Sequence, residues 1–109
     1  MVYSISAEAH TRSMKTLLTT EAFDHWFSRL RDQQGKARIQ ARLRRIEQGH
    51  FGDAKSVGPG VSELRIHTGP GYRVYFTERG LEVVILLAGG DKDSQAQDIR
   101  KALELAREV

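Results

Sequence analysis

The chain has 109 residues, of which 39% are hydrophobic and 28% are charged, a balance typical of one folded domain. It contains no cysteine, which excludes disulfides, thiolate metal sites and a cysteine nucleophile. No apolar run approaches the roughly 20 residues that a membrane-spanning helix needs, and the N-terminus lacks the pattern of a secretory signal, so we expect a cytoplasmic protein without membrane contacts.

The formal net charge of +3 is distributed unevenly along the chain. Residues 29–45 carry seven basic side chains against one acidic side chain, that of Asp32, which gives this segment a net charge of +6. A basic surface of this size suits a polyanion such as RNA, or an acidic protein partner. A solvated helix face without a binding role is the alternative interpretation.

The N-terminus differs in composition from the rest of the chain. Residues 1–13 are polar and follow no sustained period, so we expect either a disordered extension or a true start at Met14. We assign the single folded domain to residues 14–109. This domain is predicted to begin with a strand, because Met14, Leu17 and Leu18 form a short apolar run.

Two amphipathic helices are predicted between residues 20 and 49. Thr20 is a suitable N-cap for the first helix, and Gln33-Gln34-Gly35 is the predicted break between the two. Gly49 is expected to end the second helix because glycine readily adopts the left-handed conformation after a C-terminus. Three arginines follow one another at positions i, i+4 and i+7 beside the apolar face of this second helix. They are Arg38, Arg42 and Arg45.

A glycine-rich loop is predicted over residues 50–60, and the apolar pattern then changes to a period of two. Residues 63–67 and 72–77 predict a hairpin whose strands alternate between apolar and polar side chains. The uninterrupted apolar run over residues 83–88 predicts a central strand that is buried on both faces.

A final amphipathic helix is predicted after the last strand, with Ser94 and Gln97 forming a capping box. The order is therefore strand, helix, helix, three antiparallel strands, helix. We predict an α+β fold in which the helices pack on one face of the sheet.

The strand face opposite these helices combines cations with groups that can move protons. Arg65, Arg73 and Tyr75 share this face with His67, and Lys92 follows the end of the central strand. Arginine binds phosphate oxygens, histidine moves protons near neutral pH, and tyrosine stacks on bases. Such a set supports metal-free cleavage of a phosphodiester by the adjacent ribose 2′-hydroxyl.

A purely structural interpretation of the same residues stays open, in which Glu63 and Arg73 simply pair across neighbouring strands. The four histidines show no metal-ligand spacing, and neither Gly-Pro-Gly turn has the spacing of a nucleotide-binding loop. We therefore expect no metal and no cofactor.

Four segments carry a further signal: DAKSVGPGVSELRI at residues 53–66, GPGYRVYF at 69–76, LLAGGDK at 86–92 and QAQDI at 95–99. Together they resemble the RelE/ParE toxin superfamily, and more closely its HigB-like branch of phage-derived addiction module killer proteins. The likeness runs from about Met14 to the end of the chain.

The resemblance implies a small RelE-like fold and the toxin half of a type II toxin–antitoxin module. The implied partner is a cognate helix-turn-helix antitoxin, which forms a hetero-oligomer with the toxin. RelE-like members cleave mRNA in the ribosomal A site, and by position Arg65, Arg73 and Lys92 match the cations with which they work. A tyrosine near the start of their final helix is replaced here by Asp98.

The leading hypothesis is therefore a ribosome-dependent, metal-free mRNA endoribonuclease that inhibits translation. Arg65 and Arg73 would clamp the scissile phosphate, and Lys92 would stabilise the developing charge. His67 is the first candidate for the general base, and Tyr75 and Asp98 are further candidates for proton transfer. The residues assigned to contacts with ribosomal RNA are Arg38, Arg42, Arg45 and Lys55.

Two other functions stay open on the sequence. ParE-like members share the fold and inhibit DNA gyrase without nuclease chemistry, so the fold alone does not decide the target. The other alternative is an inactive toxin that acts only in a repressor complex with its antitoxin.

Overall fold

Eight elements follow one another in residues 14–109, the part of the chain that the computed structural model describes. They are β1 (Thr16–Thr19), α1 (Glu21–Arg29), α2 (Gln33–Glu47), β2 (Ala54–Gly58), β3 (Val61–Ile66), β4 (Tyr72–Arg79), β5 (Val83–Gly90) and α3 (Gln95–Glu108). The predicted extension, residues 1–13, lies outside this part. None of the helices described is long and apolar enough to cross a membrane.

The strands form one five-stranded mixed sheet in the order β1-β5-β4-β3-β2. β1 runs parallel to β5, and the other neighbouring strands are antiparallel. The predicted α+β class is confirmed, as is the predicted hairpin of β3 and β4 followed by the buried strand β5.

The boundary between α1 and α2 differs from the prediction. Thr20 caps α1 as expected, but α2 begins at Gln33, because the Asp32 carboxylate accepts a hydrogen bond from the Gly35 amide at 3.0 Å. The break therefore lies before Asp32, and Gly35 is inside the helix. The ring of Tyr72 occupies the space that a side chain at position 35 would need, and its hydroxyl donates to Asp32 at 2.9 Å.

The loop predicted over residues 50–60 contains a strand, β2, which pairs antiparallel with β3 at the edge of the sheet. An edge strand pairs on one side only, so β2 forms without a sustained apolar alternation. Its register places Lys55 opposite Glu63. The exposed side chain of Lys55 therefore lies on the same face of the sheet as Glu63.

The two faces of the sheet are covered by different helices. α1 and α2 pack on one face, against residues that include Leu64, Val74 and Phe76. α3 packs on the opposite face, where Ile99, Leu103 and Ala106 adjoin a second buried cluster. The members of that cluster are Val61, Tyr75, Ile85, Leu87, Ala88 and Ala102.

The prediction that the helices share one face therefore holds for α1 and α2 and is wrong for α3. The physical reason is that β5 presents apolar side chains to both faces, so that the second face also needs an apolar cover. We call the two surfaces of the sheet the α1/α2 face and the α3 face.

Glu47, the last residue of α2, is a buried acid with an incomplete set of partners. Glu47 is 5% exposed, and its Oε2 atom has no hydrogen-bond partner among the residues described. Burial raises the pKa of the Glu47 carboxyl above its ordinary value. The contribution of this group to stability is therefore present at acidic pH and is lost as the pH rises through the raised pKa of the folded state.

We expect Glu47→Gln to increase the free energy of unfolding by about 1 kcal/mol at neutral pH, because it removes a desolvated charge. The gain should shrink below about pH 4, where the carboxyl is protonated in both states. Urea denaturation at the two pH values measures both effects. Glu104→Gln, on the exposed side of α3, is the matched control and should change neither value; equal stability of Glu47→Gln and the parent chain at neutral pH would contradict the prediction.

Candidate active site

Two arginines face each other across neighbouring strands on the α3 face. Arg65 on β3 is aligned with Arg73 on β4, and the side chain of Arg73 is only 14% exposed. The Nε atom of each guanidinium is buried and has no hydrogen-bond partner among the residues described. Buried donors without a partner are uncommon in folded proteins, so these two N–H groups set the arginines apart from the other buried groups of the sheet.

Each arginine is also held by a carboxylate. The Nη2 of Arg65 lies 3.1 Å from Asp53 Oδ1, and the Nη1 of Arg73 lies 2.9 Å from Glu63 Oε1. The cross-strand pair that the structural interpretation expected is therefore present. The two ion pairs do not use all the hydrogen-bond donors of the arginines, because a guanidinium has five N–H donors and each pair leaves others available.

Glu63 lies at the centre of this arrangement and is completely buried. Its carboxylate accepts hydrogen bonds from Arg73, from the Tyr75 hydroxyl at 3.0 Å and from the Gln95 amide at 2.8 Å. Gln95 is the first residue of α3. Glu63 therefore fixes both Arg73 and the start of α3 to the sheet.

Tyr75 is buried beneath α3 rather than displayed on the surface of the sheet. Burial, followed by the charge of Glu63, raises the pKa of the Tyr75 hydroxyl far above its ordinary value. The side chain cannot stack on a base, as the sequence prediction had it, and its hydroxyl retains its proton. Its contact with Glu63 makes it part of the support of the site.

His67 lies immediately after β3, and its side chain is 74% exposed. Its Nε2 lies 2.5 Å from Asp53 Oδ2, so the Asp53 carboxylate bridges His67 and Arg65. Hydrogen bonds from these two side chains, that of His67 first, hold the pKa of Asp53 below its ordinary value.

Lys92 is exposed and follows the end of β5. Gly90, two residues earlier, is aligned with Arg73 on β4, and the Cβ of Lys92 adjoins Gly71 in the turn between β3 and β4. The structure therefore brings Lys92 to the end of the sheet at which β4 begins with Tyr72 and Arg73.

Asp98 lies in the first turn of α3 and contacts the site from the helix side. A side chain at Gly90 would overlap its carboxylate, so the glycine allows the helix to approach the strand. The hydroxyl of Ser94 donates to Asp98 and makes no capping bond. The predicted capping box of Ser94 and Gln97 is therefore not formed.

Comparisons with known proteins identify the family. The model of a protein family described as "Phage derived protein Gp49-like (DUF891)" matches residues 25–109. The chain belongs to the Gp49-like family. An uncharacterized protein of Haemophilus influenzae (strain Rd) is 50% identical to this Gp49-like chain over 99 residues, which cover 91% of the chain and 97% of the relative.

The fold is also that of a solved structure, a mutant of the E. coli toxin RelE in the free state. The two structures have a TM-score of 0.63 at 14% sequence identity, over 81% of this Gp49-like chain and 97% of the RelE chain. At this identity the likeness establishes a RelE-like fold.

The basic stripe of α2 is divided between two roles in this Gp49-like protein. Arg38 and Arg45 are exposed and available to a partner. Arg42 is half-buried, and its guanidinium donates to backbone carbonyls at distances of 2.6, 3.1 and 3.4 Å. These acceptors belong to Arg65, Phe51 and Asp53, so Arg42 joins α2 both to β3 and to the loop before β2. These hydrogen bonds occupy the guanidinium for which the sequence predicted an RNA contact.

The sequence prediction missed the two acids of the site. Glu63 could have been found from the alternation of β3, because it shares a face with Arg65 and was already paired with Arg73 in the structural interpretation. Asp53 had no such signal, since it lies in the loop before β2. No group of three or more metal-binding side chains is arranged to hold an ion within residues 14–109.

Proposed function

We propose that this protein is the toxin of a type II toxin–antitoxin module, in the HigB-like branch of the RelE/ParE superfamily, and that it cleaves mRNA on the ribosome. The observation that carries the proposal is the alignment of two arginines, Arg65 and Arg73, on neighbouring strands of the α3 face, each with donors that its carboxylate partner leaves available. They form an anion-binding surface on a RelE-like fold. Membership of a phage-derived family gives independent support to the toxin assignment.

The chemistry follows from the groups around the two arginines. Arg65 and Arg73 bind the scissile phosphate, and Lys92 stabilises the negative charge that develops on it. His67 takes the proton of the attacking 2′-hydroxyl. Asp98 is a second candidate for proton transfer because it reaches the same face from α3, whereas the buried Tyr75 acts only through Glu63. The reaction is proposed to need no metal and no cofactor.

The partners follow from the remaining basic surface. Arg38 and Arg45 on α2, with Lys55 on β2, are proposed to contact ribosomal RNA through its phosphates, an interaction that needs no sequence recognition. The cognate partner is proposed to be a helix-turn-helix antitoxin that forms a hetero-oligomer with the toxin in the cytoplasm.

Mapping of mRNA ends after induction tests this function. We expect new 5′ ends inside the coding region of a reporter mRNA, detected by primer extension, together with growth arrest. The control is the same reporter without its start codon, which ribosomes do not translate and which should remain intact. A DNA-damage response without new ends would favour gyrase inhibition, and undisturbed growth would favour an inactive toxin.

A further inference from the structure

We propose that Asp53 is a positioning residue that holds His67 by its Nε2, so that Nδ1 is the nitrogen that accepts the proton of the substrate. The catalytic part of this inference rests on the proposed function, but the arrangement of the imidazole does not. Asp53 lies in the loop before β2 and contacts two members of the candidate site at once.

The contact geometry is that of a carboxylate bridging a base and a cation. Asp53 Oδ2 lies 2.5 Å from His67 Nε2, and Asp53 Oδ1 lies 3.1 Å from Arg65 Nη2. The imidazole is otherwise largely exposed to solvent, and no hydrogen bond joins its Nδ1 to another residue described. One ring nitrogen is therefore occupied, and the other has no partner among the residues described.

The charge of Asp53 decides which nitrogen carries the proton. Hydrogen bonds from His67 and Arg65 hold the pKa of Asp53 below its ordinary value, so the carboxylate is ionised at neutral pH and acts only as an acceptor. The neutral imidazole must then donate from Nε2, which leaves the lone pair on Nδ1. A carboxylate that orients a histidine and selects its tautomer is an established device for proton transfer.

The backbone around Asp53 is held in place by hydrogen bonds to α2 and β3. The guanidinium of Arg42 donates to the Asp53 carbonyl at 3.4 Å and also to the Phe51 carbonyl, while the Arg65 amide donates to the Asp53 carbonyl at 3.0 Å. Gly52, which lies between Phe51 and Asp53, has a φ of 70°, and a Cβ at this position would lie 3.0 Å from the guanidinium of Arg42. The loop is thus clamped to the helix on one side and to β3 on the other.

The proposed reaction is attack of the ribose 2′-hydroxyl on the adjacent phosphate. The 2′-oxygen forms a bond to phosphorus as its proton moves to His67 Nδ1. The bond between phosphorus and the 5′-oxygen breaks, and the leaving oxygen takes a proton from water. The products are a 2′,3′-cyclic phosphate and a 5′-hydroxyl end, and the imidazolium then returns its proton to solvent.

Imidazole nitrogen chemical shifts test the arrangement without any activity. Long-range ¹H–¹⁵N spectra of the full chain, recorded at a pH at which the His67 signals show one protonated and one unprotonated nitrogen, should place the proton on Nε2. In Asp53→Asn this preference should be lost, because an amide can also donate, whereas Asp93→Asn, at an exposed site outside the network, should leave the spectrum of His67 unchanged. A parent spectrum with the proton on Nδ1 would overturn the inference.

Single-turnover cleavage on ribosomes programmed with a defined mRNA tests the catalytic part. Asp53→Asn should reduce the rate constant at saturating toxin by at least 10-fold, with little change in the toxin concentration for half-maximal rate. In a His67→Ala background the same substitution should have a clearly smaller effect, limited to the loss of its contact with Arg65, since residues that act as a unit are not additive. An equal reduction in both backgrounds would overturn the inference, whereas cleavage by neither the parent nor the variants would refute the proposed function and leave the tautomer result standing.

Discussion

Arg73→Lys is expected to reduce the rate of mRNA cleavage by about 100-fold while the protein stays folded. Lysine keeps a positive charge beside the buried Glu63 carboxylate, so the ion pair on the α3 face is retained. It removes the Nε–H donor that has no partner among the residues described and the planar fork that can hold two phosphate oxygens. The reduction in the cleavage rate therefore measures how much the geometry of the guanidinium contributes beyond its positive charge.

Lysine is the informative replacement because alanine would disturb the fold. Without a cation at position 73, the completely buried Glu63 would lack its counter-ion, a change that typically costs about 3–5 kcal/mol. Single-turnover cleavage on programmed ribosomes gives the rate, and thermal unfolding of the same preparations gives the stability. Arg107→Lys, on the exposed end of α3, is the control. Full activity of Arg73→Lys would contradict the prediction, because it would show that a positive charge at position 73 is sufficient without the guanidinium.

The cationic pair could be predicted from the sequence because it depends only on local periodicity. Side chains two residues apart on a strand share a face, and a short turn after β3 aligns β3 with β4. Arg65 and Arg73 therefore had to meet on one surface, and the structure aligns them. Lys92 follows in the same way, from the end of the strand that pairs with β4.

The burial of Tyr75 and the positions of Gln95 and Asp53 could not be predicted because they depend on how distant segments return to the sheet. The placement of α3 on the face opposite α1 and α2 buries Tyr75 and brings Gln95 to Glu63. The formation of β2 carries Asp53 to Arg65 and His67. Neither event leaves a periodic signal in the chain, because each is a contact between residues far apart in sequence.

The supporting acids change how the charge of the site is understood. The leading hypothesis from the sequence treated the cations as unopposed, and only the structural alternative paired Glu63 with Arg73. The structure pairs Arg73 with Glu63 and also pairs Arg65 with Asp53. Such pairs fix the direction of each guanidinium before a ligand arrives, which lowers the cost of ordering long side chains upon binding. If the site binds phosphate as proposed, selection would depend on the geometry of the two guanidinium groups as well as on their charge.

Gly89→Ala is expected to destabilise the protein by about 2 kcal/mol, because it overfills the contact between β5 and α1. A Cβ at position 89 would overlap the indole of Trp26. The indole cannot move aside easily, since it packs against Phe23 and Phe27 in α1 and against Tyr72 in β4. The backbone at Gly89 does not lie in the left-handed region, so steric overlap accounts for the expected loss.

Urea denaturation with a matched glycine separates overlap from backbone strain. Gly80→Ala, in the turn between β4 and β5, meets no atom within 4 Å but has a φ of 64°, and it should cost about 1 kcal/mol through conformation alone. Trp26→Leu in the Gly89→Ala background should recover part of the loss, because the smaller side chain makes room for the new methyl group. Additive losses in this double variant would mean that Gly89 is required for a reason other than its contact with Trp26.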